Sequence, residues 1–132
     1  MLHMVYHFRV TINPPTGGAL SSSALRPRSP ARRSDEVIYL IAKKKFTLAP
    51  KASALGDIWK IGQDLKNPHP APFPVELAER IIRSTTANII LDPFVGSGTT
   101  AIAAKKFNRY YIGIDISPEY CRMAEERIRQ AG

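Results

Sequence analysis

Residues 88–100 read Asn88-Ile89-Ile90-Leu91-Asp92-Pro93-Phe94-Val95-Gly96-Ser97-Gly98-Thr99-Thr100 and carry the strongest structural signal in the chain. The continuous apolar run at 89–91 is typical of a strand that is buried on both faces. Asp92 stands where this strand would end, and Pro93 has no N–H to donate to a strand ladder. Gly96 and Gly98 then let the backbone turn sharply and approach a ligand closely. The sequence therefore predicts a buried strand, a ligand-holding glycine turn (residues 93–98) and the start of a helix.

The segments around the glycine turn predict an α/β fold. A second apolar run at 109–116 contains Asp115 near its end, and helical patterns cover 74–84, 99–107 and 118–130. These elements form a βαβ unit, for which a right-handed crossover is the default. We expect strands at 36–42, 88–92 and 109–115 to lie together in a partial doubly wound, Rossmann-like sheet. The helix residues expected to face inward are Leu77, Ala78, Ile81, Ile82, Ile102, Ala103, Phe107, Tyr120, Ala124 and Ile128.

Composition indicates a globular chain with a basic N-terminal part. The 132 residues are 44% hydrophobic, as is usual in globular proteins. No apolar run approaches the roughly 20 residues that span a bilayer. The net charge of +8 is concentrated in residues 1–56, where nine Lys/Arg stand against two Asp/Glu. Such a segment suits a phosphate backbone, and it suits a solvated, partly disordered lead-in equally well.

The single cysteine and the three histidines limit the kinds of site to expect. Cys121 has no second cysteine to pair with inside the chain, which fits a reducing cytoplasm. The sequence does not open with a charged segment followed by an apolar core, so we expect no signal peptide. The histidines have no metal-like spacing to Cys121, and we expect no metal site.

The glycine turn and its acids indicate a nucleoside cofactor. Gly96-x-Gly98-x-x-Ala101 matches a loose dinucleotide fingerprint, and Asp115 follows at the end of the next strand, where it can accept ribose hydroxyls. Asp92 would repel a pyrophosphate and attract an ammonium or sulfonium group, although it also suits a structural role in capping the turn. These charges favour S-adenosylmethionine over a nicotinamide cofactor. A P-loop is excluded because the chain contains no Gly-Lys pair.

Three segments, in this order, resemble the amino-group DNA methyltransferases. They are His69-Pro70-Ala71-Pro72-Phe73-Pro74, Asp92-Pro93-Phe94-Val95-Gly96-Ser97-Gly98-Thr99-Thr100 and Gly113-Ile114-Asp115-Ile116. The match is to the permuted class, in which the catalytic half precedes the cofactor half. The resemblance implies methylation of adenine N6 or cytosine N4 in double-stranded DNA, in a restriction–modification setting.

The resemblance also assigns site residues and domains. It implies that the first two segments hold the methionine part of S-adenosylmethionine and that the third holds the ribose. The implied cofactor-binding residues are His69, Pro70, Ala71, Pro72, Phe73, Asp92, Pro93, Phe94, Gly96, Ser97, Gly98, Thr99, Thr100, Asp115 and Ile116. Residues 35–132 would form the cofactor-binding region. We expect residues 1–34 to be a poorly ordered basic lead-in, although residues 1–12 alternate loosely enough to form one strand.

The catalytic motif of that family is where the sequence departs from the resemblance. The motif is Asp, Asn or Ser, then Pro-Pro, then an aromatic residue that stacks on the flipped base. The only Pro-Pro here is Asn13-Pro14-Pro15-Thr16, which has threonine in place of the aromatic residue. A loop turn is the favoured interpretation of Asn13, Pro14 and Pro15. We therefore expect a chain that resembles the C-terminal part of a full-length enzyme, binds the cofactor weakly and does not methylate alone. Whether a partner chain supplies the catalytic half is left open by the sequence. The alternative is a non-catalytic DNA-binding or cofactor-binding subunit.

Overall fold

The fold was analysed in a computed structural model, which describes residues 2–13, 35–43, 46, 48–50, 52–62, 64 and 73–131. These residues belong to two compact units. Unit 1 comprises the described residues of Met1–Lys44 and Asp57–Gln63, and unit 2 comprises those of Lys45–Gly56 and Asp64–Gly132. None of the helices in the described residues combines the length and the apolar character that crossing a bilayer requires.

Unit 1 is built on a three-stranded sheet in the order β2-β1-β3. Its strands are β1 (Leu2–Asn13), β2 (Asp35–Lys43) and β3 (Ile58–Gly62). β1 pairs with β2 in antiparallel fashion and with β3 in parallel, so the long central strand is hydrogen-bonded on both edges. Val10 lies opposite Trp59, and both side chains are fully buried together with that of Ile61. Trp59 therefore packs in the core of unit 1.

Unit 2 contains the predicted strand–helix–strand unit. After a short 3-10 helix (Ala52–Leu55), its elements are α1 (Val75–Arg83), β4 (Ile89–Asp92), α2 (Thr99–Lys106), β5 (Tyr110–Gly113) and α3 (Pro118–Gln130). β4 and β5 are parallel, from Ile89 opposite Tyr110 to Asp92 opposite Gly113. All three predicted helices are confirmed. Ser117 caps α3 by accepting the Tyr120 N–H at 3.3 Å, and Pro118 begins that helix.

The core of unit 2 lies between α1, α2 and one face of β4. Ala78 and Ile82 of α1 are buried against Ala103 and Ala104 of α2, and Ile90 packs on this cluster. The small alanines let the two helices approach closely. Of the residues expected to face inward, Leu77, Ala78, Ile82, Ala103 and Ala124 are buried, whereas Ile102, Phe107, Tyr120 and Ile128 are half-buried. Ile81 is 37% exposed, so its expected core position is wrong.

Two expectations about the strands are also wrong. β4 is not buried on both faces, because Ile89 and Leu91 are 58% and 60% exposed and only Ile90 packs on the α1–α2 cluster. The strand expected at 36–42 does exist as β2, but it does not join the β4–β5 sheet. It pairs instead with β1, which supplies an antiparallel partner along its length.

The N-terminal residues are more regular than expected. Leu2–Asn13 form strand β1, where a poorly ordered lead-in was expected, because pairing with both β2 and β3 satisfies their backbone groups. Residues 14–34 lie outside the described part of the chain. The assignment of a cofactor-binding region to residues 35–132 stays a prediction.

Candidate cofactor site

The glycine turn leads from the carboxyl end of β4 into α2. Asp92 is half-buried, and its Oδ1 accepts the Phe94 N–H at 3.0 Å, which closes the first bend. Gly96 and Gly98 both have positive φ, of 48° and 82°, where L side chains are strained. The Gly98 N–H donates to the Val95 carbonyl at 2.8 Å. The structure therefore gives Asp92 the structural role considered from the sequence.

Asp115 meets the glycine turn from the end of β5. Its Oδ2 accepts the Gly96 N–H at 2.9 Å, and its Oδ1 accepts the Ser117 N–H at 2.9 Å. The half-buried carboxylate thus connects the turn to the start of α3 across 19 residues of sequence. Each carboxylate oxygen has two lone-pair sites, so both oxygens can still accept a hydroxyl group. Ile116, beside it, is fully exposed.

A cavity of about 330 Å³ runs beside α1 and β4 and brings three predicted site residues together. Phe73, Asp92 and Thr100 line it with apolar residues of α1 and β4. A volume of this order lies at the lower end of the range for small-molecule sites, which are mostly apolar with a few polar groups. A second cavity of similar volume lies beside α3, and none of the predicted site residues lines it.

The predicted residues of the turn divide into exposed and buried sets. Phe94 is 85% exposed, and Pro93 is exposed beside it. Ser97 is only 5% exposed, and Gly98 and Thr99 are buried as well. The accessible residues can contact a ligand directly, whereas the buried ones shape the backbone beneath it.

The remaining predicted site residues lie in unit 1 or outside the described part of the chain. His69, Pro70, Ala71 and Pro72 lie outside the described part of the chain, as do Pro14 and Pro15. Asn13 ends β1 in unit 1, where it pairs with Gly62.

Sequence reasoning missed the residues of α3 that support the turn. The Arg127 Nη1 donates to the Ser97 carbonyl at 2.6 Å and to the Ser97 Oγ at 2.8 Å. A Cβ built on Gly98 would lie only 3.0 Å from the Ala124 Cβ, so the helix lies directly against the turn. Spacing could have indicated Arg127, because it follows the inward-facing Ala124 by three positions and shares its helix face.

Residues 19–126 match the N6_N4_Mtase family, which is described as DNA methylase. This match covers most of the chain. The chain belongs to the DNA methylase family. Among curated relatives, this chain is similar to the type II methyltransferase M.BglII from Bacillus subtilis, with 43% identity over 105 residues. That alignment covers 74% of this chain and 29% of the relative.

Solved structures support the same assignment. The putative DNA modification methylase TTHA0409 from Thermus thermophilus, complexed with S-adenosyl-L-methionine, matches with a TM-score of 0.65 and 27% identity. That match covers 95% of this chain and 52% of the other. The M1.HpyAVI–SAM complex matches with a TM-score of 0.66 and 28% identity, over 92% of this chain and 60% of the other. This chain thus has the Rossmann-like α/β fold of these proteins. It spans 52% and 60% of the lengths of these two structures and 29% of the length of M.BglII.

Proposed function

We propose that this chain forms the S-adenosylmethionine-binding part of an enzyme that methylates an exocyclic amino group of a DNA base, adenine N6 or cytosine N4. The observation that carries the proposal is the position of Asp92. Its carboxylate ends β4 beside the glycine turn and lines a largely apolar cavity together with Thr100. A carboxylate at such a place attracts a cationic ligand and repels a phosphate.

The ligand chemistry follows from this charge. S-adenosylmethionine carries an ammonium and a sulfonium group and has no phosphate, so Asp92 favours it over a nicotinamide dinucleotide. The exposed Phe94 and half-buried Thr100 would contact the methionine part, with Phe73 at the cavity wall. His69, Pro70, Ala71 and Pro72 are proposed to complete this side of the site by resemblance. The relatives complexed with S-adenosylmethionine support this choice of ligand.

The ribose end of the ligand is proposed to lie at Asp115. Both oxygens of this carboxylate already accept backbone N–H groups, which fix its orientation. A carboxylate oriented in this way can accept ribose hydroxyls with its remaining lone pairs. Ile116 is fully exposed beside it and offers an apolar surface for the adenine ring.

We further propose that the chain alone binds the cofactor without methylating DNA. The only Pro-Pro, in Asn13-Pro14-Pro15-Thr16, lacks the aromatic residue that would stack on a flipped base. A partner chain with the Pro-Pro-aromatic motif would then be needed for transfer to double-stranded DNA. A cytoplasmic location belongs to the same proposal, because the single cysteine fits a reducing compartment.

Calorimetry with matched variants tests the cofactor proposal. Asp92→Asn keeps an oxygen for the Phe94 N–H but removes the charge, so S-adenosylmethionine should bind about tenfold more weakly, or 1.4 kcal/mol. Asp57→Asn makes the same change at an exposed position in unit 1 and should leave the affinity unchanged. The proposal would be refuted if the wild type did not bind S-adenosylmethionine and if Asp92→Asn bound NAD more tightly than the wild type does.

Transfer of a labelled methyl group tests the proposed inactivity of the chain alone. The protein is incubated with methyl-labelled S-adenosylmethionine and mixed-sequence double-stranded DNA, and radioactivity in the DNA is counted. We expect counts at the level of a heat-denatured sample. Incorporation above that level that disappears in Asp92→Asn would show that the chain is itself a catalyst.

A non-catalytic DNA-binding subunit is the second candidate function. The basic excess of residues 1–56 favours it, and Arg26, Arg28, Arg32 and Arg33 contribute four of the nine positive charges. Changing these four arginines to glutamine should flatten the salt dependence of DNA binding, by about 0.9 in log–log slope for each lost phosphate contact. An unchanged slope would rule this candidate out.

A further inference from the structure

Arg127 of α3 donates side-chain hydrogen bonds to the glycine turn. One nitrogen, Nη1, donates to both the carbonyl oxygen and the hydroxyl oxygen of Ser97, at 2.6 and 2.8 Å. We propose that Arg127 is a positioning residue of the cofactor site and acts through Ser97. The inference rests on the proposed binding of S-adenosylmethionine at this turn.

The burial of Ser97 makes these hydrogen bonds necessary. Its residue is 5% exposed, so water has little access to either oxygen. A buried acceptor without a partner is costly, and a charged donor forms a stronger hydrogen bond than a neutral one. Arg127 therefore supplies the partner that this part of the turn needs. Ser97 then contributes to the site as an acceptor for Arg127.

The peptide bond between Ser97 and Gly98 couples the Arg127 hydrogen bond to the conformation of the glycine turn. The Ser97 carbonyl and the Gly98 N–H lie in one planar peptide group, so holding the carbonyl also orients the N–H. That N–H donates to the Val95 carbonyl at 2.8 Å, and Gly98 has a φ of 82°. Glycine tolerates several backbone conformations, so without Arg127 this peptide group could rotate. Rotation would misdirect the start of α2 and move Thr100 in the cavity wall.

The packing of α3 supports the same role. Ala124 lies one turn before Arg127 and contacts Gly98 so closely that a Cβ there would be 3.1 Å from the Ala124 Cα. Asp115 holds the N-terminal end of the same helix to Gly96, through its bonds to the Gly96 and Ser117 N–H groups. Thus α3 is attached to the turn at both ends, and Arg127 makes the attachment nearer its C-terminus.

The test compares charge-matched variants of one helix. Arg127→Gln removes the charged fork, and Arg127→Lys keeps the charge but has a different donor geometry. Arg129→Gln is the control, because that side chain is 74% exposed and pairs only with Glu126 among the ion pairs of the described residues. Exchange of the Gly98 amide hydrogen is measured by NMR without cofactor, and S-adenosylmethionine affinity by calorimetry, at a temperature where all variants retain their helical circular dichroism.

We expect Arg127→Gln to speed Gly98 exchange and to weaken S-adenosylmethionine binding about tenfold, which is 1.4 kcal/mol. Arg127→Lys should show smaller changes in Gly98 exchange and in S-adenosylmethionine affinity than Arg127→Gln does. Arg129→Gln should change neither the exchange rate nor the affinity. Faster exchange with unchanged affinity would overturn the positioning role, since a purely structural contact behaves in that way. Unchanged exchange would overturn the inference alone. Failure of the wild type to bind S-adenosylmethionine would instead refute the proposed function. If Arg127→Gln does not fold, the Arg127→Lys result decides.

Discussion

Replacing Gly98 by alanine should destabilise unit 2 through two separate effects. The first is the backbone: Gly98 has a φ of 82°, in the left-handed region that L residues avoid. The second is crowding by α3. The new Cβ would lie 3.0 Å from the Ala124 Cβ, 3.1 Å from its Cα and 3.4 Å from its carbonyl oxygen. Two of these three atoms belong to the helix backbone and cannot rotate away.

The magnitude follows from these two effects. A left-handed conformation costs an L residue about 1–2 kcal/mol. Forcing an extra methyl group into a packed site typically costs about 1–3 kcal/mol. The free energy of unfolding of Gly98→Ala should therefore fall by about 2–5 kcal/mol, less the few tenths to 1 kcal/mol that alanine gains by restricting the unfolded chain.

Gly56→Ala is the matched control for the crowding effect. Gly56 also has a positive φ, of 67°, but a Cβ built there meets nothing within 4 Å. Urea unfolding followed by circular dichroism at 222 nm reports on unit 2, because all three described α-helices lie in it. Gly98→Ala should lose about 1–3 kcal/mol more than Gly56→Ala. Equal losses in the two variants would refute the close packing of α3 on the turn.

Substitutions at three other places in unit 2 give further predictions. Ile82→Ala should lower the free energy of unfolding by about 2–5 kcal/mol, because Ile82 is buried. Ile81→Ala should lower it by less than half as much, because Ile81 is exposed. Equal losses would contradict the described face of α1. Gly113→Ala would place a Cβ 2.7 Å from the Val95 Cγ2, so it should lower the free energy of unfolding in urea by about 1–3 kcal/mol. The double variant Gly113→Ala/Val95→Ala should lose less than the sum of the two single variants, because the second change removes the crowding. Asp115→Asn keeps only one acceptor oxygen for two backbone N–H donors. It should therefore lower the melting temperature by an amount equivalent to about 1–3 kcal/mol. An unchanged melting temperature would contradict the bridging role of Asp115.

Sequence reasoning worked where the signal is local. Local features predicted the order of the elements, which is strand, glycine turn, helix, strand and acid. These features are the apolar runs, the prolines and glycines, and Asp92 and Asp115 at the strand ends. Helix bounds were predicted within one residue at each end, since caps such as Ser117 and the adjoining Pro118 are readable directly. Local signals also indicated the family, because each of the segments that carry the resemblance is a short run of adjacent residues.

The errors arose where partners are distant in sequence. Ile81 and Ile82 look alike on a helical pattern, but only the position of α2 decides which of them is covered. The apolar run of β4 suggested burial on both faces, whereas helices α1 and α2 pack on one. The strand now called β2 has an antiparallel partner in β1, and this pairing could not be read from the residues of either strand alone.

The family, the glycine turn and the pair of acids that favour a cationic nucleoside cofactor can all be read from the order of the residues. These features depend on backbone preferences and charges that each residue carries wherever the chain places it. Only the tertiary structure decided that Asp115 binds the turn through Gly96, 19 residues away, and that Arg127 reaches Ser97 across 30 residues. Such contacts depend on how α3 packs, because the energy of a buried hydrogen bond is set by which groups the fold brings together and shields from water.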